Sequence, residues 1–192
     1  MKLQKTVCAG LALLLTGTAQ AGDYDLLLQG GIDVGGDKLF HATYTNGDTV
    51  NIDAGDLLQL GVGVTFKTVP ALVPELETQM SLSYKFNSAN AQNGDVDWKR
   101  YPLELLEFYT TPSWRFGGGL TYHLSPSMKG SGVAAVATAD FDNALGLVFE
   151  VDYIIGAKSF IGGRVARIDY KASDTHQEFS GNSVGVTFGW RP

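Results

Sequence analysis

Along most of this chain apolar and polar residues exchange places at every second position, the period at which successive side chains of a β-strand point to opposite faces. Eight segments carry the pattern. In the first, Tyr24, Leu26, Leu28, Gly30, Ile32 and Val34 share one face, and Asp25, Leu27, Gln29, Gly31 and Asp33 share the other. Leu58, Leu60, Val62, Val64 and Phe66 oppose Gln59, Gly61, Gly63, Thr65 and Lys67 in the second, and Leu76, Met80, Leu82, Tyr84 and Phe86 oppose Glu77, Gln79, Ser81, Ser83 and Lys85 in the third. The fifth sets Trp114, Phe116, Gly118, Leu120, Tyr122 and Leu124 against Arg115, Gly117, Gly119, Thr121 and His123. The sixth sets Leu145, Leu147, Phe149, Val151 and Tyr153 against Gly146, Glu150 and Asp152, and the eighth sets Val184, Val186, Phe188 and Trp190 against Ser183, Gly185, Thr187 and Gly189. The fourth and seventh change parity midway: Tyr101, Leu103 and Leu105 give way to Leu106 and Phe108, and Ile161, Gly163 and Val165 give way to Ile168 and Tyr170. A one-residue bulge in each accounts for the change, and predicts Glu104 with Glu107, and Arg164 with Arg167, on the polar face.

The two faces differ in bulk as well as polarity. Large Leu, Tyr, Phe and Trp occupy the apolar face, whereas Gly, Ser and Thr crowd the polar one, as expected when the polar face lines the inside of a narrow cylinder. A soluble barrel or sandwich would bury the bulky face instead. An eight-stranded barrel has an interior only wide enough for side chains, so the reading is all-β: an antiparallel up-and-down transmembrane barrel with a plugged polar interior. The lumen is then predicted to pair Asp25, Asp33, Glu77, Glu104, Glu107, Glu150 and Asp152 with Lys67, Lys85, Arg115, Arg164 and Arg167, since an unpaired ion there costs several kcal/mol.

Connection lengths agree with that orientation. The first, third, fifth and seventh connections, roughly residues 35–56, 87–99, 125–142 and 171–182, are long and rich in Asn, Asp, Gly and Ser, while 69–75, 110–113 and 155–158 are short. Outer-membrane barrels alternate long outside loops with short periplasmic turns in this way. The order sorts aromatics into two girdles, with Tyr24, Phe66, Tyr109, Trp114, Tyr153 and Trp190 at the periplasmic rim and Phe86, Tyr101, Tyr122 and Tyr170 at the outer one.

The 192 residues carry a formal net charge of −6, which excludes a polybasic nucleic-acid binder. Lys2 and Lys5, the apolar run 7–15 and Ala19-Gln20-Ala21 form the tripartite pattern of a signal peptide, predicting cleavage after residue 21 and a barrel over 22–192. Cys8, the only cysteine, leaves with that segment, so disulfides and thiolate chemistry are not expected in the mature chain.

Over its whole mature length the chain resembles the small eight-stranded outer-membrane barrels of the OmpA and OmpX type. The resemblance is carried by the alternation and by Val184-Gly185-Val186-Thr187-Phe188-Gly189-Trp190, which looks like the aromatic-ended last strand that the barrel-assembly machinery reads; here Arg191 and Pro192 extend it. It implies residence in the bacterial outer membrane as a monomer, contact with membrane lipid and lipopolysaccharide, no cofactor, and a structural, envelope-stress or surface-interaction role. A narrow pore is an alternative.

Candidate chemistry is sparse. His123-Leu124-Ser125 resembles the His-x-Ser motif of outer-membrane lipid A deacylases, which raises acyl-ester hydrolysis or acyl transfer as a further alternative. Pro126 follows where that family has Asn, the position is mid-chain, and parity turns His123 inward, so a hydrogen-bonded lumenal histidine is expected. A triad would also require Asp140 or Asp142 to reach the imidazole. His41, His123 and His176 map to the outer half near Asp37, Asp48, Asp53 and Asp174, without metal-ligand spacing; no metal site is expected.

Overall fold

The computed structural model describes residues 24–43, 49–69, 71–91 and 94–192; the predicted signal peptide and Asp48 lie outside these. The strands are β1 (Tyr24–Val34), β2 (Lys38–Thr43), β3 (Thr49–Asp53), β4 (Leu57–Val69), β5 (Val73–Ala91), β6 (Gly94–Thr110), β7 (Trp114–Gly130), β8 (Ala139–Asp140), β9 (Ala144–Ile155), β10 (Ser159–Lys171), β11 (Glu178–Ser180) and β12 (Ser183–Trp190). Eight of them, β1, β4, β5, β6, β7, β9, β10 and β12, pair antiparallel in chain order, and β12 pairs back onto β1. The cylinder is closed, so no strand edge is left for lipid to meet. Paired residues lead from Tyr24 through Phe66, Thr78, Glu107, Gly118, Phe149, Val165 and Val184 back to β1 at Val34, ten residues beyond the start. Such a stagger over eight strands goes with a tilt of about 35–45°.

The bulky face points outward, as the alternation predicts. Leu26, Leu28, Ile32, Leu60, Val62, Leu103, Leu105, Leu120, Leu147, Phe149, Val186 and Phe188 are all exposed on the wall, while Gln29, Gln59, Gln79, Ser81, Ser83 and Thr121 are buried inside. On a soluble protein that arrangement would be unstable. In a bilayer the outward side chains meet acyl chains, and the inward polar groups lie among one another.

Neither predicted bulge exists. The β5–β6 ladder runs unbroken from Leu103 to Tyr109 and the β9–β10 ladder from Ser159 to Ile168, so parity is kept. Leu106 and Phe108 therefore point into the lumen and Glu107 points out; Ile168 and Tyr170 point in and Arg167 out. The reason is packing. Phe108 pairs with Gly117 and Leu106 with Gly119, and a Cβ on Gly117 would lie 2.4 Å from Phe108 Cδ1. Glycines on β7 thus leave the volume that the β6 side chains occupy, forming a small apolar layer with Val148 and Ala166. The true irregularity lies elsewhere, between Lys99 and Tyr101 on β6 opposite β7, where Ser125 adopts φ 48°.

The strands also outrun the predicted loops. β5 and β6 pair out to Ala91 and Gly94, and β7 continues to Gly130 before a 3-10 turn over Gly132–Ala137. In this extension the polarity inverts: Val96, Trp98 and Met128 point inward, and Asp95, Asp97, Lys99 and Lys129 outward. Trp98 and Tyr170, both fully buried, form with Ile52, Ala54, Ala89, Met128, Phe141 and Ala144 an apolar core that caps the lumen. Tyr170 belongs to this core and not to the outer girdle.

Candidate functional site

The lumen holds two linked ionic groups. Near the periplasmic end Arg115 lies 3.0 Å from Asp152 and 3.2 Å from Glu77, and its guanidinium is sandwiched between Phe108 and Phe160 at 3.9 and 4.2 Å. Arg191, past the end of β12, grips the same Glu77 with both terminal nitrogens at 3.1 and 2.5 Å, and Lys67 approaches it at 4.0 Å. Further outward, Arg164 bonds Glu104 at 2.6 Å and sits within 4.0 Å of Glu150 and Asp33, while Lys85 donates to Asp33 at 2.5 Å. Amides bridge the interior: Arg115 donates to Gln79 Oε1 (2.8 Å), Gln79 to Gln29 (3.2 Å), and Gln29 and Gln59 both to Ser83 (3.0 and 3.1 Å). Each of these charges lies within 4.0 Å of an opposite one, the condition under which ions persist in a low-dielectric interior.

Of the twelve charges expected in the lumen, nine take part in these contacts: Asp33, Lys67, Glu77, Lys85, Glu104, Arg115, Glu150, Asp152 and Arg164. Three do not. Asp25 keeps lumenal parity but is exposed at the periplasmic end of β1. Glu107 faces outward beside β4 and β5, where its carboxylate accepts hydrogen bonds from Thr68 and, at 2.8 Å, from Thr78. Arg167 is exposed on the outer wall of β10. Both point outward because the bulges that would have turned them inward are absent.

Arg100 and Arg191 escaped the sequence reading. Arg100, fully buried, lies 5.0 Å from the Trp98 ring and donates to the Asp56 carbonyl. Extending the parity of Glu104 back through Pro102 places Arg100 and Trp98 inward; extending that of Trp190 forward does the same for Arg191. The periplasmic girdle residues Tyr24, Tyr109, Trp114, Tyr153 and Trp190 are exposed on the wall, with Phe66 half-buried beside them, and Trp114 meets Tyr153 edge-on at 5.1 Å. At the outer rim Tyr84 stacks on Phe86 at 5.0 Å and meets Tyr101 at a tilt, 5.4 Å between centroids.

His123 and Ser125 sit on opposite sides of the wall. His123 is buried with Nδ1 2.6 Å from the Tyr170 hydroxyl, whereas the irregularity at Ser125 turns that residue out, its N–H donating to Asn143 Oδ1 at 2.9 Å. Asp142 accepts from Ser173 at 2.9 Å. No nucleophile, base and orienting carboxylate converge here. His41 bonds Asn51 at 2.6 Å, and among the described residues no group of three His, Cys, Asp or Glu is placed to hold a metal.

Two carboxylates above the membrane respond to opposite influences. Burial raises the pKa of Asp56, against the hydrogen bond its Oδ1 accepts from Gly35 N–H. Hydrogen bonds from Lys99 and Ser88 (2.7 Å each) lower that of Asp97, and the same bond raises that of Lys99.

Residues 9–191 match the family described as the outer membrane protein beta-barrel domain. The chain belongs to that family. Its members reside in the bacterial outer membrane, and so does this protein. Among solved structures, Neisserial surface protein A (NspA) is similar at TM-score 0.50 and 10% identity, covering 88% of this chain and 97% of that one. Ail, the attachment invasion locus protein of Yersinia pestis, solved in complex with the heparin analogue sucrose octasulfate, is similar at TM-score 0.53 and 10% identity, covering 89% and 99%. At that identity the likeness is one of fold. No curated protein sequence matches the chain.

Proposed function

We propose that this protein is a non-conducting pedestal that holds a binding surface above the outer membrane. The observation that carries the reading is the extension of β5, β6 and β7 beyond the outer girdle over its own apolar core, with Trp98 and Tyr170 fully buried across the mouth of the lumen. A structural anchor alone needs no such extension. The lumen below it is filled by paired ions and amides, which supports a plug over a pore.

The presented surface is acidic. Exposed Asp95, Asp142, Asp169, Asp174 and Glu178 outnumber exposed Lys38, Lys129 and Lys171, so the partner that fits best carries a basic face. Purified protein in planar bilayers is expected to give no conductance steps. Cells displaying it are expected to retain a fluorescent oligolysine in a salt-dependent manner, and cells displaying a variant with those five acids changed to Asn or Gln are expected to lose that retention. Steady conductance, or equal retention by the neutralised variant, would overturn the reading.

A further inference from the structure

The outward turn of Arg167 creates a feature that the pedestal role does not use. From the periplasmic end, the outward positions of β10 read Ile161, Gly163, Val165, then Arg167, Asp169 and Lys171, so Arg167 is the first charge at the outer edge of the apolar band. There the wall is indented. Val34, Gly35, Val165, Ala166, Arg167, Asn182, Ser183 and Val184 line a shallow lateral groove of about 430 Å³.

The groove has a structural cause. The β10–β12 ladder stops at Ala166 and Ser183, and the β10–β11 ladder resumes only at Asp169 and Ser180. The chain between them is tied instead by Ile168 N–H donating to Asn182 Oδ1 (3.1 Å) and Gly181 N–H donating to the Ile168 carbonyl (2.7 Å). Backbone polarity is thus satisfied without a strand filling the space.

Its chemistry is amphipathic and ordered by depth. Val34, Val165 and Val184 form the membrane-side floor; Arg167 and Asn182 form the outer end. No lining residue is acidic, the facing partner of Arg167 on β9 is Leu147, and Arg167 makes no ion pair among the described residues, Asp169 on its own strand included. A guanidinium offers a planar fork of donors that matches phosphate oxygens bidentately. At a membrane interface a cation is tolerated at little cost, whereas at the midplane it would cost about 2–4 kcal/mol.

We propose that this groove binds one lipopolysaccharide molecule of the outer leaflet, with a lipid A phosphate on the Arg167 guanidinium and an acyl chain along Val34, Val165 and Val184. Charge complementarity selects the phosphate, and the position at the outer edge of the apolar band selects the outer leaflet over the inner.

The test uses full-length protein extracted from outer membranes in mild detergent, with folding of each variant checked by heat-modifiable gel mobility. Binding of purified bisphosphorylated lipid A, dephosphorylated lipid A and phosphatidylglycerol is measured by native mass spectrometry for wild type, Arg167→Gln, Lys171→Gln and Val165→Trp. Wild type should prefer bisphosphorylated lipid A; Arg167→Gln should bind it about tenfold more weakly, a loss typical of one charge-assisted hydrogen-bonded contact, with dephosphorylated lipid A unaffected. Lys171→Gln should match wild type, and Val165→Trp, which fills the floor, should weaken all acylated ligands. Equal binding by Arg167→Gln, an equal loss in Lys171→Gln, or phosphatidylglycerol binding as tightly as lipid A would each overturn the assignment.

Discussion

β6 passes through two environments and treats the same parity in opposite ways. Within the membrane it turns Leu103 and Leu105 outward and Glu104 inward; a few residues above, it turns Asp97 and Lys99 outward and Trp98 inward. The parity of β6 does not change, only the solvent does. Lipid outside permits polar groups inside, where ten charges, Arg191 among them, and several amides pair with one another; water outside demands an apolar interior, as in any soluble barrel. The membrane part is therefore held by electrostatic matching inside a hydrophobic sleeve, and the extension by ordinary hydrophobic burial.

That contrast is open to direct attack. The largest effect is expected from Arg164→Leu, which strands Glu104 and Glu150 without their shared cation and leaves Asp33 to Lys85 alone; removing one partner of a buried ion cluster costs about 3–5 kcal/mol. Guanidinium unfolding of detergent-folded protein, followed by gel mobility, should show the loss for the whole cylinder. Trp98→Ala should cost about as much locally, about 3–5 kcal/mol for a buried aromatic, yet confine the damage. Hydrogen exchange is expected to accelerate in residues 87–100 and 123–130 while the membrane strands keep their protection. Accelerated exchange throughout would mean that the two regions fold as one unit.

A middle-sized effect sharpens the account of the missing bulge. Gly117→Ala places a methyl group against the Phe108 ring and should cost about 1–3 kcal/mol by overpacking. Combined with Phe108→Leu the cost should fall below the sum of the two single changes; additivity would disprove the pairing. The smallest effect concerns pH above the membrane. Because donors from Lys99 and Ser88 lower the folded pKa of Asp97, its stabilising contribution is present above the unfolded carboxylate pKa and fades as pH falls through the folded value. Asp56, raised by burial, has the opposite sign: its ionisation opposes folding, and acidification through its folded pKa relieves that penalty. Exchange at the tip of β5 and β6 should quicken on acidification in wild type and stay flat in Asp97→Asn.

Much of the architecture was legible in the sequence because strands such as β4 and β12 spend their length between lipid and a polar lumen, where period two maps directly onto polarity. The alternation carries no information on where the surroundings change. Ile168 and Tyr170 enter the capping core, and Leu106 and Phe108 enter the space left by Gly117 and Gly119; in both places an inward apolar residue imitates a shift of register. The same confusion drew Glu107 and Arg167 inward and hid Arg100, which lies within the strand just beyond a stretch rich in Asn and Asp. Arg191 follows the terminal aromatic, where parity alone turns it inward, toward Glu77.

The most direct test places a fluorophore on single cysteines at outward positions 97, 101, 103 and 105 of β6, in protein lacking residues 1–21 and with them Cys8, reconstituted with lipids brominated along their acyl chains. The account predicts strong quenching at 103 and 105, partial quenching at 101 and none at 97. Quenching at 97 equal to that at 105, or none at 105, would contradict it.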